Sequence, residues 1–223
     1  MEMHAGQHSI VHMWGMSFNM DTLYMTWLTF GIILVITYFA TRNTKLIPSG
    51  VQNVMEALLD ALEGQMKAPL GKYFSGVSAL LFTFFLFILI SNELGLLPSP
   101  HILKSPTSDL NTTFALALAS TLIVWVVGIK AKGLGYFKHF FQPFAVFVIF
   151  NVVEEIAKPV TLAFRLFGNI IAGEIMLELL YNLAPWGPPI IWLGFSLIVG
   201  LVQAFVFTIL TTSYLGMVVG DNH

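Results

Sequence analysis

Apolar positions run together along this chain in stretches long enough to cross a hydrocarbon layer, which takes about 20 helical residues. Residues 22–41, TLYMTWLTFGIILVITYFAT, predict a first span, closed by Arg42, Lys45 and Pro48. Residues 74–97 predict a second, ending in the turn LLPSP, and residues 110–129 a third, followed by Lys130, Lys132, Lys138 and His139. One segment has a different pattern. In residues 49–66, SGVQNVMEALLDALEGQM, Val51, Val54, Met55, Leu58, Leu59, Leu62 and Met66 recur at steps of three and four, while Glu56, Asp60 and Glu63 take the other side. That spacing predicts an amphipathic helix lying on the membrane surface or against a partner, with Ser49 as its N-cap.

The last 80 or so residues do not read as ordinary spans. Residues 143–183 and 187–218 are joined by LAPWGPP, and the only clear breaker in the first of them is Pro159. At 1.5 Å per residue that first segment would measure about 60 Å, twice the hydrocarbon thickness. Each segment is therefore either broken into two spans or one arm of a steeply tilted hairpin. Upright pairs would drive Glu154, Glu155, Lys158, Arg165, Glu174 and Glu178 through hydrocarbon, which favours a hairpin whose charged side faces protein or water. The expected fold class is an all-α membrane protein in a single membrane domain, residues 1–223. It has about five membrane-embedded helices plus one interfacial amphipathic helix, and the last two helices form the long tilted hairpin.

Composition agrees with a life in the bilayer: 57% of residues are hydrophobic and 10% charged, against about 25% charged in a soluble domain. The net charge of −2 and the lack of like-charge runs give no sign of a nucleic-acid partner. The sequence has no cysteine, which excludes disulfides and thiolate metal sites. The first 20 residues lack a basic region followed by an apolar core, so no cleaved signal peptide is evident. His4, His8 and His12 would share a face if helical and suit a metal, but a solvated terminus is the simpler reading, and no metal or cofactor is expected. Basic residues cluster after the first span, around the amphipathic helix (Lys67, Lys72) and after the third span. The positive-inside rule then places those segments in the cytoplasm and the N-terminus outside, with the C-terminus cytoplasmic. No GxxxxGK[ST] motif occurs, so nucleotide chemistry is expected elsewhere and the chain is not itself an enzyme.

The charges of the long hairpin carry the function. At about 100° per residue, Glu154, Lys158 and Arg165 share a face, flanked by Thr161, Gly168, Asn169 and Ala172, whereas Glu174 lies about 180° from Arg165. Arg165 thus has no obvious partner within its own helix. Isolated charges in membrane segments are costly and mark an ion path or a counter-ion for something else; a structural role is the plainer alternative. Ala163, Gly168, Ala172 and Gly173 reduce bulk nearby, which lets another helix approach closely, from a partner, from within the chain at Gly194 and Gly200, or both. Glu154 and Glu155 either line a path near the start of the hairpin or pair with Lys158 at spacings of four and three.

Two stretches resemble a known family, KPVTLAFRLFGNIIAGEIM and then GLVQAFVFTILTTSYLGM, with SNELGLLP, TRNTKLIPSGVQNVMEALLD and KSPTSDLNTTFALALA extending the likeness over nearly the whole chain. The chain resembles subunit a of the membrane sector of rotary F-type ATP synthases, in its compact bacterial form. The resemblance implies a stator subunit in a bacterial cytoplasmic (inner) membrane, working beside a ring of small hairpin subunits (the c-ring), with peripheral-stalk b subunits, the F1 head and lipid as further neighbours and H⁺ or Na⁺ as the translocated ion. Arg165 would take the place of the family's essential arginine, Asn169 and Gln203 its polar neighbours, and Glu174 with Ser196 the half-channel from the outside. Ser196 departs from members that carry a titratable histidine there, which makes Glu174 the relay candidate. Glu178 could extend that path and Asn92 and Glu93 shape its mouth, with Glu154 and Glu155 on the inner side. Two rivals are a secondary transporter using Arg165 to bind an anionic substrate, which predicts inverted repeats that are not apparent, and a structural scaffold.

Overall fold

A computed structural model of the chain describes residues 10–13, 16–42, 44–96, 105–133, 135–136, 147–184 and 186–220. Among these, strands β1 (Ile10–Met13) and β2 (Met16–Asn19) form an antiparallel hairpin, with Ile10 opposite Asn19. Six helices follow: α1 (Met20–Arg42), α2 (Val51–Leu70), α3 (Phe74–Leu96), α4 (Leu110–Lys132), α5 (Val148–Leu183) and α6 (Pro188–Gly220). The described residues are all-α apart from the hairpin, and five stretches among them are long and apolar enough to cross a membrane. The hairpin is a feature the hydropathy pattern did not predict. It places His12 in a strand, so the helical premise for a three-histidine face fails there, while His4 and His8 lie outside the described residues, as do the LLPSP turn from Leu97 onward, Lys138 and His139. Among the described residues no cluster of His, Cys, Asp and Glu suits a metal ion.

The long final helices are continuous. α5 has 36 residues and carries Pro159 inside it, and α6 has 33. Their lengths of about 54 and 50 Å exceed the hydrocarbon thickness of about 30 Å, so an unbroken pair must tilt or protrude. α6 is the hub, packed on α3 most extensively and also on α2, α4 and α5. Its seat comes from a stripe at spacings of three and four on α3 (Val77, Leu81, Phe85, Ile88) that meets Ala204, Phe207 and Leu215 of α6, with Leu162, Ala163 and Leu166 of α5 in the same core. Thr208, Thr211 and Thr212 are buried in α6, and each hydroxyl donates to the carbonyl four residues back at 2.8–2.9 Å. These polar side chains therefore need no partner from outside their own helix.

The amphipathic segment runs longer than its pattern predicts and is not capped by Ser49: its N-cap is Gly50, at φ 62°, without a side-chain cap. Instead Gln52 closes the approach, donating to the Lys45 carbonyl and accepting from the Lys45 N–H, both at 3.1 Å. Leu62, Met66 and Leu70 are buried in the common core, so much of the α2 stripe is satisfied inside the chain. The contact is close enough to demand glycine at position 216, where a Cβ would lie 2.9 Å from the Pro69 Cβ and 3.3 Å from its carbonyl oxygen.

At the opposite end of the bundle a polar belt joins the start of α1, the α3–α4 loop and α6. Asp109 caps α4 by accepting from the Asn111 N–H at 2.9 Å, and also accepts from Asn19 (2.6 Å) and Thr22 (3.0 Å). The order of the helices puts Arg42, Lys45, Lys67, Lys72, Lys130 and Lys132 at the other end.

A candidate ion path beside an exposed arginine

Arg165 sits near the middle of α5, and its face is open. Phe164, Arg165, Gly168, Asn169 and Ala172 are exposed, as are Gly194, Leu197, Ile198, Leu201 and Val202 on α6. Among the described residues the guanidinium has no hydrogen bond, ion pair or ring contact. This follows from the helical register: α5 uses Leu162, Ala163, Leu166 and Ile170 for packing, which turns residue 165 outward.

The small residues near it divide between two jobs. Gly168 and Ala172 belong to the open face, whereas Ala163 and Gly173 are buried inside the chain. Gly173 faces Ser196, whose Oγ would lie 3.9 Å from an added Cβ, and its carbonyl accepts from Trp192 Nε1 at 3.3 Å. Gly194 is open, with nothing within 4 Å of an added Cβ, and Gly200 faces α3, where a Cβ would approach Glu93 Oε1 to 3.2 Å and Asn92 Cβ to 3.3 Å. Close packing of the two hairpin arms, one of the two readings of these small residues, thus holds at Gly173 but does not run through Gly194 or Gly200.

One turn from Arg165, Asn169 donates through Nδ2 to Gln203 Oε1 at 2.8 Å, bridging α5 and α6. Both residues line a cavity of about 140 Å³ that also takes in Glu174, Ser196 and Asn92. A water needs about 10–15 Å³ by this measure and two or more polar partners, so the volume and its lining suit several waters. Five residues singled out from the sequence thus border one space. Glu178 lies one turn beyond Glu174 on α5, and its carbonyl accepts from Asn182 at 2.9 Å.

Asn92 is fully buried and fixed from both sides. Its Nδ2 donates to the Gly200 carbonyl at 3.2 Å, and its Oδ1 accepts from the Thr107 hydroxyl at 2.9 Å. The Thr107 and Ser105 hydroxyls lie 2.6 Å apart, and Ser105 donates to the Ser91 carbonyl at 2.9 Å. Ser105 and Thr107 were not legible as contributors. Only the loop sequence SPTSD, with proline after a capping serine and an aspartate before a helix, hinted at order there.

The other end of α5 holds a different cluster. Of the two readings of Glu154 and Glu155, the structure shows the pairing: Lys158 holds Glu155 at 3.0 Å and Glu154 at 3.4 Å and lies over the Tyr214 ring at 5.6 Å. Glu155 also accepts from Trp125 Nε1 at 2.6 Å and from Tyr136. Burial first, then the Glu155 charge and this hydrogen bond, push the Tyr136 hydroxyl up to about 12. Glu155 is thus held among α4, α5 and residue 136, while Glu154 keeps 66% of its side chain exposed.

Residues 23–216 match the family model described as ATP synthase A chain. The chain belongs to that family. It is similar to ATP synthase subunit a of Desulforamulus reducens, 43% identical over 91% of this chain and 80% of the relative. It is also similar to ATP synthase subunit a of Acidothermus cellulolyticus, 38% identical over 96% of this chain and 82% of the relative. As a member of the ATP synthase A chain family, it is a multi-pass membrane component of an ATP synthase complex, distinct from the catalytic subunits, and the secondary-transporter alternative has no support.

Proposed function

We propose that the chain is the stator of an ion-driven rotor, in which the open face of α5 and α6 receives a ring of c-ring proteolipids and Arg165 meets one carboxylate of that ring at a time. The observation that carries this reading is the exposed guanidinium without a hydrogen bond or ion pair among the described residues. A guanidinium holds a permanent charge and offers a planar fork of donors. Against a ring carboxylate about 4 Å away at an effective dielectric near 20, its attraction amounts to about 4 kcal/mol. The arriving acid gives up its ion and passes Arg165 only in charged form, which blocks a direct leak between the two sides of the membrane.

In this reading the cavity bordered by Asn92, Asn169, Glu174, Ser196 and Gln203 is the inner reach of the outside half-channel. Glu174 relays the ion where Ser196 cannot titrate, Glu178 extends the route outward, and Glu93 shapes its mouth beside Gly200. On the cytoplasmic side Glu154 faces the path, and Glu155 anchors Lys158. The clustering of basic residues at one end of the bundle supports an orientation with the N-terminus outside and the C-terminus in the cytoplasm of a bacterial inner membrane. The α2 side, with Glu56, Asp60 and Glu63, contacts the peripheral-stalk b subunits, and the F1 head is reached through them. H⁺ or Na⁺ is carried; the ion's binding carboxylate belongs to the ring.

The test is Arg165→Lys in the reconstituted complex. It keeps the charge and loses the fork, so ATP-driven ion pumping into vesicles should vanish while assembly persists. Near-normal pumping or ATP synthesis refutes the assigned role.

A further inference from the structure

The hairpin of α5 and α6 contains two basic side chains, Lys158 and Arg165, and the fold treats them in opposite ways. Seven residues apart, they stand about 10 Å apart along α5 and within about 20° of the same azimuth. Glu154, Thr161 and Arg165 on this side are exposed. The Lys158 side chain, at 21% exposure, is not. It leaves the face sideways, with Nζ over the Tyr214 ring of α6 at 5.6 Å and bonded to Glu155 Oε2 at 3.0 Å. Its longer contact, 3.4 Å to Glu154, points to the open side. A pair made for helix stability alone is available there, since Glu154 lies at the favourable spacing of four.

Glu155 can hold the ammonium because it is itself held. Trp125 Nε1 of α4 donates to Oε1 at 2.6 Å while Lys158 takes Oε2, and Tyr136 bonds the same carboxylate. The Tyr136 ring is seated on α4 at Gly128, where a Cβ would lie 2.8 Å from it. Among the contacts described, the titratable groups that meet Lys158 are Glu154 and Glu155 of its own helix and Tyr214 of α6, with Tyr136 one bond further through Glu155.

We infer that Glu155, fixed by Trp125 and Tyr136, is a positioning residue that draws Lys158 off the rotor face, so that Arg165 is the one fixed cation of the hairpin that a ring carboxylate meets. The inference rests on the stator reading above. A second cation loose on that face would come within about 8 Å of a ring carboxylate on the cytoplasmic side of Arg165. At an effective dielectric near 20 it would favour the ionised acid and raise the ion concentration needed to reload it about 30-fold.

The experiment is ATP-driven pumping by the whole complex in inverted membrane vesicles, where the ion is loaded from the cytoplasmic side, scanned against pH and against sodium. Glu155→Gln leaves Lys158 to Glu154 on the open face. Because the added cation favours the ionised carboxylate, the alkaline limb of pumping should move about 1.5 pH units to the acid side if H⁺ is carried, or half-saturating sodium should rise about 30-fold if Na⁺ is. Glu155→Gln with Lys158→Met should return the profile to its wild-type position. Glu155→Met gives the same reading should the glutamine variant fail to assemble, and retention of the chain in the purified complex reports assembly. Pumping of reduced height at the wild-type position makes the Glu155 pair a stability contact and overturns the inference. A shift that Lys158→Met does not reverse makes Glu155 an ion carrier and overturns it as well. Near-normal pumping by Arg165→Lys sinks the stator reading instead, whereas an unmoved Glu155→Gln profile beside an inactive Arg165→Lys sinks this inference alone.

Discussion

Replacing Asn92 by leucine removes two interhelical hydrogen bonds at one buried point, to the Gly200 carbonyl and from the Thr107 hydroxyl. Neither former partner is orphaned, because Gly200 lies within the α6 backbone ladder and Thr107 keeps Ser105 at 2.6 Å. The loss is therefore the bonds alone, without the burial penalty of about 1–3 kcal/mol for an unsatisfied group. Interhelical hydrogen bonds in membrane proteins average about 0.6 kcal/mol, so Asn92→Leu should cost about 1.2 kcal/mol, whereas Thr107→Val leaves the buried Asn92 Oδ1 without its donor and should cost about 1–3 kcal/mol. The double variant should cost less than the sum of the singles by at least about 0.6 kcal/mol, because the bond the two residues share is counted in both singles. Unfolding of the full chain in mixed micelles by rising dodecyl sulfate, followed by tryptophan fluorescence, measures all four corners of the cycle. Additive singles would refute the bond, and with it the reason for Asn92 to stand at a fixed place on the cavity wall.

Gly216→Ala should destabilise by about 1–3 kcal/mol in the same titration, because its Cβ meets Pro69 and α2 must shift. Lys158→Met should cost about 2–4 kcal/mol by leaving Glu155, 14% exposed, with its charge uncompensated. Lys67→Met should cost less than about 0.5 kcal/mol, since its pair with Glu63 is largely in solvent. Tyr136 should ionise at about 12 in an alkaline absorbance titration, and Tyr136→Phe should delete that step. With its folded value raised above the ordinary 10, the neutral hydroxyl contributes stability that is complete below about pH 10 and lost as pH climbs through 12; ionisation of Tyr136 near pH 10 contradicts the Glu155 contact.

Much of the architecture was legible because hydropathy is a local property. The number of membrane helices, the length of the final pair and the face of α5 that carries Arg165 all follow from spacing along a single helix. The hairpin of β1 and β2 escaped because two four-residue strands leave too short a pattern to distinguish from a polar terminus. Lys158 makes the pairs with Glu154 and Glu155 that spacings of four and three allowed, while its place over the Tyr214 ring was not legible, because a long flexible stem can lie along a neighbouring helix.

By itself, then, the sequence determined a bilayer-embedded helical protein with a charge exposed on a long final hairpin, and its motifs carried the family. Only the tertiary structure decided that Asn92 on α3 meets Asn169 and Glu174 on α5 and Ser196 and Gln203 on α6 around one cavity, and that Trp125 and Tyr136 hold Glu155. It also decided that half of the α2 stripe finds α6 while the other half faces open space. The physical reason is that periodicity reports which side of a helix is apolar, and within a membrane an apolar side is equally content against lipid or another helix. The choice between them rests on close fit, glycine by glycine and bond by bond, among residues far apart in the chain.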